Sequence, residues 1–198
     1  MITASTKTDL RKLYLLRRER VARNHPEFEE ALNDGIFSWL TEEKAKTVGF
    51  YWPFRAEPNI SPAIERWLAA DSERKAALPV VEDKEKALMH YAAWSSDSAM
   101  HIGAYGIAIP KEDVRIVPEI IFLPCVAFNA AGVRLGSGAG FFDRYLAARR
   151  KGNIPVVAVA VSFEILCCEE LQGQAHDEPF EWLATEAGVR RIKQEKRS

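Results

Sequence analysis

The chain has 198 residues, which suits one domain with a sizeable core (residues 1–198) better than two small ones. Hydrophobic residues make up 47% and charged residues 28%, an ordinary globular mixture. Lys and Arg number 27 against 28 Asp and Glu, a net charge of −1, so no general field exists to hold nucleic acid or an anionic membrane and any phosphate site must be local.

In chain order, Leu10, Leu13, Tyr14, Arg17 and Val21 follow helical spacing and predict a helix from Thr6 to about Asn24, with Thr6 as its cap. A second helix is expected from Pro26 to about Lys46, with a break near Asn33, Asp34 and Gly35. The period then changes: Thr47 to Trp52 reads as a strand stopped by Pro53. Pro62 to Ala70 is a short helix with Ile64, Trp67 and Leu68 on one face. Further strands are expected at Leu78–Val81, Leu88–Trp94, Ile120–Leu123 and Ile154–Val161. The last two are nearly continuous apolar runs, the pattern of strands covered on both faces. Strands alternating with helices predict an α/β, Rossmann-like fold: one layered domain with a largely parallel central sheet flanked by helices.

No apolar run approaches the roughly 20 residues that cross a bilayer, and Met1 to Arg20 holds no apolar signal region. Three cysteines, with Cys167 and Cys168 adjacent, read as reduced and mostly buried thiols in a cytoplasmic protein. His25, His90, His101 and His176 are scattered, and no Ser/His/Asp or Cys/His nucleophile set is evident.

The most informative stretch is Arg134, Leu135, Gly136, Ser137, Gly138, Ala139, Gly140, Phe141, Phe142, Asp143 and Arg144. Three alternate glycines let the backbone turn through positive φ and expose consecutive N–H groups. The helix predicted over Phe142–Arg149 adds its own free N–H donors and positive dipole end. Arg134 and Arg144 flank the loop, so the stretch is physically a phosphate cradle. It is neither a Walker A loop nor the dinucleotide GxGxxG. Its glycines taken alone fit a structural turn equally well.

Pro124, Phe128, Gly132, Arg134, Leu135, the three glycines, Phe141, Asp143 and Arg144 together resemble the signature of the 5-formyltetrahydrofolate cyclo-ligase, or methenyltetrahydrofolate synthetase, family. The resemblance runs through nearly the whole chain. It implies that the loop from Arg134 through Phe142 holds the phosphates of ATP. Lys7 and Arg11 look like the family's N-terminal ATP-binding pair. Residues four apart on a helix share a face, so both can meet one polyphosphate; without the resemblance they read as a solvated basic face that includes Arg18. Glu57 resembles a family glutamate that contacts the folate pterin, with Trp52 beside it, and Tyr105 resembles an aromatic lining the folate pocket. Asp143 and Asp177 are the expected holders of Mg²⁺. The resemblance thus implies an ATP- and magnesium-dependent conversion of a reduced folate, 5-formyltetrahydrofolate, to 5,10-methenyltetrahydrofolate, by a monomer or weak oligomer. Phe142, Asn129 and Ile109 depart from the family pattern. They keep open a divergent or non-catalytic nucleotide-binding paralogue with another substrate.

Overall fold

Helix α1 (Lys7–Asn24) starts where its cap dictates: the Thr6 side chain accepts from Asp9 N while the Asp9 carboxylate reaches back to Thr6 N. The computed structural model describes residues 6–174 and 177–192, and His176 lies outside them. The buried stripe of α1 is Leu10, Tyr14, Arg18 and Val21. Leu13 and Arg17, expected on that stripe, face outward, and Arg17 lies over the Tyr14 ring.

Helix α2 (Glu27–Glu42) runs unbroken through Asn33, Asp34 and Gly35 and ends short of the expected Lys46. Asn33 does not interrupt it because its amide is used elsewhere. Its Nδ2 donates to Glu29 O and Asn59 O, and its Oδ1 accepts from Ala63 N at 2.9 Å, which ties α2 to α3 (Ser61–Ala69). Gly35 gives the close approach to Gly188, whose Cα would lie 3.5 Å from a Cβ there.

Strands β1 (Thr47–Gly49), β2 (Lys75–Asp83), β3 (Leu88–Trp94), β4 (Met100–Ile102), β5 (Ala108–Pro110), β6 (Arg115–Ile116), β7 (Ile120–Pro124), β8 (Ala127–Phe128), β9 (Arg134–Leu135), β10 (Val157–Val161), β11 (Trp182–Thr185) and β12 (Gly188–Arg191) complete the chain with helix α4 (Phe141–Lys151). Among the described residues the main sheet has eight strands in the order β12-β11-β10-β7-β1-β2-β3-β6. The central strands β11, β10, β7, β1 and β2 are parallel, while β12, β3 and β6 pair antiparallel at the edges. The expected largely parallel sheet is therefore present, with antiparallel margins. In chain order the five parallel strands lie 2-1-3-4-5, a doubly wound arrangement whose direction of winding reverses between β1 and β7.

Both faces are covered. Ile120, Phe122, Val159 and Val161 join the core beneath α2 and α3, while Ile121, Leu123, Ala158 and Ala160 pack with Leu146 of α4. That double coverage is why β7 and β10 read as unbroken apolar runs. Strand β1 stops at Gly49 rather than Trp52, although Phe50 N still donates to Ala77 O. No helix among the described residues is long and apolar enough to cross a membrane.

Candidate functional site

In a sheet of this topology the loops leaving β1 and β7 diverge to opposite faces and leave a crevice at the strands' carboxyl ends. A cavity of about 500 Å³ lies there, lined by each residue expected to hold ATP, the folate or magnesium: Lys7, Arg11, Trp52, Glu57, Tyr105, Arg134 to Asp143, and Asp177.

One wall is the glycine loop. It leaves the β8–β9 hairpin and enters α4 at Gly140, which takes φ +75° as the residue before the helix, while Gly138 takes φ +107°. These are left-handed conformations that glycine adopts at little cost. Arg11 Nε donates to Gly136 O at 2.9 Å, and a Cβ at Gly138 would lie 3.5 Å from Arg11 Cζ. The N-terminal helix is thus stitched to the loop through Arg11, a contact that the spacing of Lys7 and Arg11 alone did not indicate. Leu135 faces α1 in a small core of its own with Leu10, which fixes where the loop begins. Ser137 and Ala139 are exposed at the loop's crest.

Arg134 is buried under the loop. Its Nη2 lies 2.9 Å from Asp143 Oδ2, a charge contact, yet neither Nε nor Nη2 has a hydrogen-bond partner among the described residues. The Arg134–Asp143 pair thus places one buried positive and one negative side chain side by side beneath the loop. Lys7 Nζ contacts Asp177 Oδ2 at 2.5 Å and Gln174 Oε1 at 3.2 Å. Asp143 also accepts from Glu178 N at 3.2 Å. Each proposed metal-holding acid therefore stands beside a basic residue, and the described residues contain no group of three or more His, Cys, Asp or Glu side chains able to hold a metal by themselves. Arg144, expected to flank the loop, instead turns outward and donates to Lys86 O.

The opposite wall is built after β1. Glu57 is 8% exposed, and its Oε2 accepts from Phe54 N at 3.0 Å. Burial raises its pKa above the ordinary carboxylate range, and the nearby Arg18 charge and the Phe54 N–H pull it back. Trp52 packs edge-on to Trp94 at the same strand end. Tyr105 sits on the β4–β5 hairpin at φ +59°, 51% exposed, edge-on to Phe141 with Lys84 over its ring. Pro79 and Val81 of β2, Met89 of β3, and Ile107 and Ile109 add an apolar floor.

The departures from the family pattern have local explanations. Ile109 packs on Gly103, where a Cβ would lie 2.7 Å from Ile109 Cδ1. Phe142 is wedged between both cores beneath the Arg134 guanidinium. Asn129 Oδ1 accepts from Ala131 N and Val133 N as a turn cap, while its Nδ2 donates to the buried Leu171 O at 2.7 Å. An aspartate lacks that donor.

Reasoning from sequence missed Arg18, taken there as part of a solvated face. It is 1% exposed and reaches both sides of the crevice. The available signal was its spacing: Lys7, Arg11, Tyr14 and Arg18 fall on one side of a helix.

The chain is similar to several characterised proteins. The 5-formyltetrahydrofolate cyclo-ligase of Haemophilus influenzae is 26% identical over 88% of this chain and 92% of its own. That of Mycolicibacterium smegmatis is 27% identical over 81% and 87%. Among solved structures, the 5,10-methenyltetrahydrofolate synthetase of Aquifex aeolicus superposes with a TM-score of 0.75 at 29% identity, over 97% of this chain and 95% of that one. The synthetase of Mycoplasma pneumoniae shares the fold, with a TM-score of 0.73 at 18% identity over 92% and 99%. A family model for 5-formyltetrahydrofolate cyclo-ligases matches residues 3–186, and the chain belongs to that family.

Proposed function

We propose that this chain converts 5-formyltetrahydrofolate and ATP to 5,10-methenyltetrahydrofolate, ADP and phosphate. The observation that carries the reading is a single cavity with chemically opposite ends: a glycine loop with Lys7, Arg11 and Arg134 around it, facing a buried carboxylate among aromatic rings. The first end suits a polyphosphate and the second a flat heterocycle bearing adjacent N–H donors.

The N–H groups of the loop, with Lys7, Arg11 and Arg134, bind the polyphosphate. Glu57 accepts from the pterin, and Trp52 and Tyr105 flank it. So placed, the formyl oxygen attacks the γ-phosphorus and ADP leaves. The formyl carbon is now bonded to a phosphate oxygen bridge and becomes an electrophile. N10 attacks that carbon, gives up its proton, the C–O bond breaks, and phosphate departs with the former formyl oxygen. An amide oxygen leaves poorly; phosphorylation makes it a good leaving group. The chain's contribution is positioning and stabilisation of charge on the transferring phosphoryl group.

Asp143 and Asp177 fit a magnesium ion that arrives with the triphosphate. Magnesium takes few carboxylates and keeps waters and phosphate oxygens, so two acids on one cavity wall suffice. Held there, the ion would supply countercharge to the phosphates beside Lys7 and Arg134.

The test follows the oxygen. With ¹⁸O in the formyl group, the account expects one ¹⁸O in each phosphate released. Unlabelled phosphate contradicts it.

A further inference from the structure

Arg18 is the one residue of α1 whose charge is fully inside the protein, and its two terminal nitrogens, though not Nε, find acceptors there. Nη1 donates to Cys125 O at 3.2 Å, just beyond β7. Nη2 donates to Arg55 O at 2.8 Å and to Phe54 O at 3.4 Å, beyond β1. The side chain therefore bridges the two strand ends between which the cavity opens. Nη1 also stands 3.6 Å from Glu57 Oε1.

The segment it grips is strained. Arg55 and Ala56 take φ +48° and +58° in succession, a left-handed course that residues with a Cβ rarely adopt. Such a conformation persists only when its surroundings over-determine it, and strain of this kind gathers at functional sites. Here the restraints are Arg18 on the two carbonyls and Glu57 Oε2 on Phe54 N–H. The course of this turn decides where the Glu57 carboxylate stands on the cavity wall.

We propose that Arg18 is a positioning residue for the folate end of the site: it fixes the Phe54–Glu57 turn so that Glu57 meets the pterin, and α1 holds that turn in register with the phosphate loop gripped by Arg11. The inference rests on Glu57 being the folate contact. One rigid helix then carries Lys7 and Arg11 at the polyphosphate and Arg18 at the folate side, on one face.

Charge reinforces the geometry. Burial favours the protonated Glu57, which cannot accept at both oxygens, and Arg18 opposes this. The other titratable groups facing it, the Tyr51 phenol and Cys125 thiol, are both pushed upward by burial and are neutral near pH 7. Removing Arg18 therefore moves Glu57 toward its neutral form, and raising the pH restores the carboxylate.

The experiment is calorimetric titration of 5-formyltetrahydrofolate and, separately, of MgATP into the full chain from mildly acidic to mildly basic pH. Arg18→Met is expected to lose about tenfold or more in folate affinity while ATP affinity stays within about twofold. Part of the loss returns as pH rises. Arg18→Lys keeps the wild-type pH profile, since the charge remains, at an intermediate affinity. In a Glu57→Gln background either change adds nothing, because Arg18 acts through Glu57. Equal losses in both backgrounds, a parallel loss of ATP affinity, or unchanged folate affinity would overturn the proposal. Should Arg18→Met fail to fold, Arg18→Lys decides in the two backgrounds by the same criterion. If the wild-type chain binds no 5-formyltetrahydrofolate, the folate reading itself falls and the role of Arg18 with it; normal wild-type binding with unaffected Arg18 variants overturns that role alone.

Discussion

Glu57 and Asn129 show two uses of a buried polar side chain. Glu57 lines the cavity with one oxygen engaged by Phe54 N–H, so Glu57→Gln removes a charge-assisted acceptor from a ligand rather than from the core. Bonds of that kind contribute about 1.5–3 kcal/mol, so the folate KM should rise about ten- to a hundredfold with the ATP KM unchanged. An unchanged folate KM would remove Glu57 from the site. Asn129 is used internally, and its amide donates to Leu171 O. Asn129→Asp, which restores the usual family residue, should therefore destabilise the chain by about 1–3 kcal/mol in denaturant unfolding. A neutral result would mean that the turn can shift to release Leu171. Cys125 is fully buried, and burial pushes its thiol up to about 12; Cys167 is pushed up to about 11. Sequence composition anticipated buried reduced thiols, and mass spectrometry after mild alkylation at neutral pH should find Cys125 unmodified until the chain unfolds. Arg18 escaped the sequence reading because an amphipathic pattern assigns charge to the surface. The carbonyls that satisfy Arg18 lie 36 to 107 residues away in the chain.

At the scale of elements, most of the long ones were legible, although β2 extends beyond the expected Leu78–Val81 and neither β11 nor β12 was anticipated. α1 with its cap and α3 follow from helical spacing, and β3 and β7 from apolar runs long enough to read as strands. β4, β5, β6, β8 and β9 have two or three residues apiece and show no period. The break expected in α2 failed because Asn33 finds partners on α3 instead of competing for its own helix. The glycine loop is the element whose role is most readily separated from folding. Gly138→Val demands a left-handed valine against Arg11, so nucleotide binding should be lost with little change in Tm if the loop's purpose is the ligand. If it is only a turn, the protein should instead be destabilised and its folded fraction should still bind nucleotide. For α1, Lys7→Ala and Arg11→Ala should each lower kcat/KM for ATP by about 1.5–3 kcal/mol, and the double mutant should be non-additive because both meet one polyphosphate. Wild-type ATP kinetics in both single mutants would detach α1 from the nucleotide.

The arrangement of the whole molecule lay beyond the sequence. Alternating elements indicate an α/β sheet, but strand order depends on which face each crossover takes, and no local pattern records that choice. The order 2-1-3-4-5 of the parallel strands brings Glu57, beyond β1, across from the glycine loop, beyond β7, although more than seventy residues separate them. The joint use of these two ends is the central claim. The direct measurement is incubation of the purified chain with MgATP and 5-formyltetrahydrofolate while following the near-ultraviolet absorbance of the methenyl product. The account predicts product formation that requires both substrates and matches the phosphate released mole for mole. Retained ATP binding without methenyl product would contradict it, and would mark the chain as a nucleotide-binding relative acting on something else.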